Sequence, residues 1–82
     1  MLFLMEYDRR AGRIVSLTRY MDARREDAED ARLNMELRLR ASGIDLEVVL
    51  LEAESEHALR ATHRRYFERL EDMASGEAST LL

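Results

Sequence analysis

Cysteine, proline and tryptophan are absent from this 82-residue chain, and so is lysine, since all 13 basic side chains are arginine. Without cysteine there can be no disulfide framework, no thiolate nucleophile and no cysteine-type zinc site, so packing alone must hold the core. That favours a cytoplasmic location. The missing lysines are explained by GC-rich codon usage before any selection for bidentate anion binding needs to be invoked. Glycine occurs only at 12, 43 and 76, each time alone. No glycine-rich loop is present to cradle a phosphate, and nucleotide binding is not expected. No apolar run approaches the roughly 20 residues of a membrane span. The apolar start, Met1 to Met5, is shorter than a signal-peptide core and lacks a basic leader and a small-residue cleavage site. Neither secretion nor a membrane partner is expected.

What is present suits a soluble domain. Hydrophobic residues make up 46% and charged residues 37% of 9.6 kDa, enough for one modest core and one domain. A net charge of -4 argues against a general polyanion binder. The domain is expected over 1–74. Residues 75–82, SGEASTLL, show no periodicity and read as a tail.

The chain is organised around the stretch from Ile44 to Phe67. It joins the most apolar run, Val48-Val49-Leu50-Leu51, to the clearest amphipathic pattern, Leu59, His63, Tyr66, Phe67 and Leu70. This predicts a buried strand over 45–53 followed by a helix over 56–73 capped by Ser55. Before it, Leu2–Asp8 is apolar on most of both faces and predicts a strand inside a sheet. Asp8 to Gly12 carries turn chemistry, and Arg13–Tyr20 has the β-branched Ile14, Val15 and Thr18 of a second strand. Val15 and Leu17 are placed on the face of Phe3 and Met5. From Asp22, the expected N-cap, a helix runs to Ala41 and stops at Gly43. Leu33 to Arg40 alternates with a period of two, as a strand would. Strong helix formers and the lack of any β-branched residue from 22 to 43 decide for helix.

The fold class that results is α+β: a ββαβα two-layer sandwich with a three-stranded sheet in the order 2-1-3 and two helices on one face. The competing arrangement makes 45–73 one long helix.

Four sets of residues could carry function. Wound as a helix, Ala28, Ala31, Met35 and Leu39 form one stripe, while Leu33, Leu37 and Ala41 fall on nearly the opposite side. The second stripe is an interface candidate, for a second copy of the chain or another protein. Arg9, Arg10 and Arg13 crowd the hairpin tip with Tyr7 near for stacking, a candidate contact for nucleic acid or an acidic partner. On the helices most arginines have carboxylates three or four residues away, Arg25 with Glu29, Arg32 and Arg40 with Glu36, Arg60 with Glu56 and Arg64 with Glu68, and read as solvated faces. Glu54 and His57 have the Glu-x-x-His spacing of di-iron bundles, but the further ligands are missing. His63 lies on an apolar stripe with no carboxylate placed to orient it, so it reads as a packed residue before a general base. No catalytic set, cofactor or metal site is assigned. The expectation is a small cytoplasmic, homodimeric protein-interaction domain. The alternatives are a nucleic-acid binder using the hairpin, and a small enzyme using His63 or Glu54.

Overall fold

The computed structural model describes residues 1–67 of the 82. Strands β1 (Leu2–Asp8) and β2 (Arg13–Tyr20) form the hairpin. The Asp8 carboxylate holds the turn by accepting from the backbone N–H groups of Arg10 and Ala11, each at 3.0 Å. Gly12 closes it at φ 67°, a backbone conformation that costs glycine little. Helix α1 (Arg25–Ser42) follows a 3-10 turn over Asp22–Arg24. Strand β3 (Glu47–Glu52) and helix α2 (Glu56–Thr62) complete the order, and a second 3-10 turn spans Arg64–Tyr66.

The sheet has the order β2-β1-β3, with β1 antiparallel to both neighbours. The α+β class and the strand order therefore follow the sequence reading, and the single long helix over 45–73 is excluded by β3.

The layers differ from that reading. Phe3, Met5 and Tyr7 point to one face, where they cluster with Leu59, Tyr66 and Phe67. That face belongs to α2 and the turn after it. Leu2 and Leu4, equally buried, point to the other face. There α1 packs against β1 and β3, burying Ala28 and Leu39 and joining Arg25 to Glu52, the cross-strand partner of Leu2, at 3.0 Å. The two helices cover opposite faces rather than one. A central strand apolar on both sides requires this, because one covered face would leave either Leu2 and Leu4 or Phe3 and Met5 in water.

Further differences are local. Met5 faces Leu17, but between Glu6 and Tyr7 the register slips, so Glu6 pairs with Ser16 and Tyr7 with Ile14. Val15 is the extra residue of this bulge and is 50% exposed, leaving Ile14 its expected place against the core. Asp22 is not a helix cap; it begins the 3-10 turn, and its carboxylate meets the Met1 amino group. Strand β3 starts two residues later than expected, leaving Ile44 exposed.

The last helix is much shorter than expected. The cap itself is as read: Ser55 Oγ accepts from the Ala58 N–H at 3.1 Å. Seven residues later the Thr62 hydroxyl bonds back to the Ala58 carbonyl at 2.9 Å, and His63 leaves the helix at φ -120°, ψ 51°. Back-bonding of this kind bends helices. The tighter turn that follows keeps Tyr66 and Phe67 on the sheet. Leu70, Met73 and the expected tail lie outside the described residues.

Candidate functional site

Helix α1 presents its two stripes as the spacing predicts. Ala28 and Leu39 are buried, with Ala31 and Met35 partly so. Its C-terminal end is fixed by Gly43 at φ 69°, with the Gly43 N–H on the Arg40 carbonyl and the Ile44 N–H on the Leu39 carbonyl. This paired Schellman bonding satisfies carbonyls that the helix leaves open. Opposite the sheet, Leu33 is 53% and Leu37 51% exposed, and Ala41 is exposed with them. Beside this end of the helix lies a shallow groove of about 390 Å³ between Glu36, Leu39 and Arg40 and the segment from Ile44 to Val48.

At the hairpin tip, Arg9 approaches Asp45 at 3.7 Å, both side chains well exposed. Arg10 and Arg13 are exposed and have no ion pair among the described residues. Tyr7 is not available to stack on a base. It is buried, and its ring meets that of Tyr66 edge-on at 5.0 Å. The strand alternation that puts Tyr7 with Phe3 and Met5 accounts for this.

The structure does not bring Glu54 and the histidines together. Glu54 precedes the cap and is exposed, so it does not share a helical face with His57. No group of three or more metal-ligating side chains occurs among the described residues. His63, at the far end of α2, contributes its backbone: its N–H bonds the Leu59 carbonyl at 2.8 Å and its carbonyl accepts from Tyr66.

One polar constellation was not legible beforehand. The Tyr66 hydroxyl donates to Glu47 Oε2 at 2.9 Å, and Arg65 Nη2 reaches the same oxygen at 2.8 Å and the hydroxyl at 2.7 Å. The Arg65 guanidinium also stacks over the Tyr66 ring at 4.1 Å. Burial, and then the bond to the Glu47 carboxylate, push the Tyr66 hydroxyl above its ordinary pKa of 10.0. Glu47 Oε1 is shut away without a protein partner among the described residues. The chemistry here is that of a clasp between β3 and the turn after α2. A signal existed in the sequence: Glu47 shares the strand parity of Val49 and Leu51, and a carboxylate on a core-facing position needs a partner. Which residue would supply it depends on the break at His63.

The predicted helix pairs Arg32 to Glu36 and Arg60 to Glu56 form at 3.9 and 3.5 Å, whereas Arg25 turns from Glu29 to Glu52 and Arg40 makes no ion pair with Glu36; Glu68, the expected partner of Arg64, lies outside the described residues. No described helix is long and apolar enough to cross a membrane. Comparison with protein-family models, curated proteins and solved structures finds no match.

Proposed function

We propose that this domain works by binding protein, with a second copy of itself as partner, through the outer face of α1. The reading is carried by Leu33 and Leu37, which stand half exposed one turn apart on a helix whose other outward positions are mostly charged. Single exposed leucines are ordinary, but two adjacent ones form a continuous apolar seam. Two leucines per copy make a small seam, so the expected dimer is weak and reversible, with the exposed Ala41 and Ile44 extending the contact.

Sedimentation equilibrium up to about 1 mM tests this, because a micromolar to millimolar dissociation constant falls inside that range. The unaltered chain should self-associate. A Leu33→Asp, Leu37→Asp variant should remain a monomer with unchanged far-UV circular dichroism. A monomer throughout for the unaltered chain would overturn the reading.

Binding of nucleic acid through Arg9, Arg10 and Arg13 is supported by the exposure of Arg10 and Arg13 without carboxylate partners among the described residues. It loses support from the burial of Tyr7. A salt-sensitive gel shift of DNA or RNA, abolished when the three arginines are replaced by serine, would move the function to the hairpin.

A further inference from the structure

The outer face of α1 carries more than two leucines. Asp30, Leu33, Leu37 and Arg40 fall within an arc of about 80° at 3.6 residues per turn, centred opposite the buried stripe of Ala28, Ala31, Met35 and Leu39. Asp30 and Arg40 are exposed, and neither has an ion pair among the described residues; Glu26, Glu29 and Arg38 of the same helix have none either, and Asp30 and Arg40 are set apart by flanking the two leucines on the outer arc. The four positions are symmetric about residue 35. Leu33 and Leu37 stand two residues to either side of it, and Asp30 and Arg40 stand five.

Resting on the reading of α1 as a self-association surface, we propose that two copies pair their α1 helices antiparallel about a two-fold axis at Met35. Leu33 of each copy then packs on Leu37 of the other, and Asp30 faces Arg40. The spacing d-a-d of the residues 33, 37 and 40, with 30 at the preceding a position, is the seam of an antiparallel helix pair, in which a meets d across the axis. A parallel pair would instead set Asp30 against Asp30 and Arg40 against Arg40, and like charges in contact disfavour it. The charge order thus selects both the partner, an identical helix, and its direction. An isologous two-fold contact requires self-complementarity of this kind.

The absence of native cysteine makes the direction directly readable. Single variants Asp30→Cys and Arg40→Cys should each resist oxidative cross-linking alone. Across the antiparallel seam like positions are about 15 Å apart at 1.5 Å per residue, beyond the reach of a disulfide. An equimolar mixture of the two should cross-link. Cross-linking of each variant alone, with none gained on mixing, would overturn the antiparallel pairing while leaving self-association through α1 standing. A second measurement uses charge. Asp30→Arg should weaken association of the chain about tenfold or more, and adding Arg40→Asp to it should restore it to within about threefold, the size expected of exposed pairs. No recovery in the doubly exchanged variant would also overturn the pairing. If the unaltered chain is a monomer at every concentration, the reading of α1 as a self-association surface fails first, and the pairing with it.

Discussion

Tyr66 and Glu47 are joined by a hydrogen bond of 2.9 Å that links the turn after α2 to the first residue of β3, an edge strand. Arg65 braces it from outside by bonding both partners. The clasp sits where α2 has ended and only a short 3-10 turn keeps Tyr66 and Phe67 on the core.

Removing the hydroxyl should loosen that attachment. Tyr66→Phe keeps the ring against Tyr7 and beneath Arg65 but takes away a bond to a carboxylate. A loss of about 1.5–3 kcal/mol is expected, the usual contribution of a hydrogen bond to a charged group. Urea unfolding of both proteins at neutral pH checks it, and a change under about 0.5 kcal/mol, within surface-substitution noise, would mean the clasp is ornamental.

The same bond has a pH signature. Tyr66 is held above its ordinary pKa of 10.0, first by burial and then by Glu47. A group whose folded pKa lies above the unfolded one stabilises the fold fully below the unfolded value, and that stability is lost as pH rises through the folded one. The unaltered protein should therefore lose stability above pH 10 more steeply than Tyr66→Phe, so that their difference shrinks. Parallel curves over that range would assign the alkaline loss to other groups.

At the end of α1, a Cβ on Gly43 would meet nothing within 4 Å, so Gly43→Ala is a test of backbone conformation alone. At φ 69° a Cβ crowds the following carbonyl. The substitution should cost about 1–2 kcal/mol. Gly43→Asn should cost less, because its side chain tolerates the left-handed region. Equal stability of the alanine variant would show that the paired bonds to Arg40 and Leu39 are dispensable.

The two stripes of α1 should respond differently. Leu39→Ala leaves a cavity against the sheet and should destabilise by about 2–5 kcal/mol. Leu37→Ala, on the outer face, should change the stability of the monomer by no more than about 0.5 kcal/mol. Thermal unfolding of dilute protein separates them, and similar losses at both positions would contradict the assignment of faces.

Much of the local structure was determined by the sequence. Gly12 and Gly43 end the hairpin turn and α1 with the positive φ that glycine accepts most readily, Ser55 caps α2, and the double apolarity of Leu2 to Met5 puts β1 in the middle of the sheet. The two stripes of α1 follow from helical spacing even though Leu33 to Arg40 alternates like a strand, because strong helix formers outweigh the alternation. These features depend on neighbours in the chain, and neighbours are what a sequence displays. Tertiary structure decided the rest. The side of the sheet each helix covers, the bulge that expels Val15 and admits Ile14, and the meeting of Glu47 with Tyr66 all depend on contacts between residues distant in sequence. Tyr7 shows both: strand alternation sets it on the face of Phe3 and Met5, but that the ring is covered there, beside exposed arginines, is decided by Tyr66, which packs on it from the turn after α2.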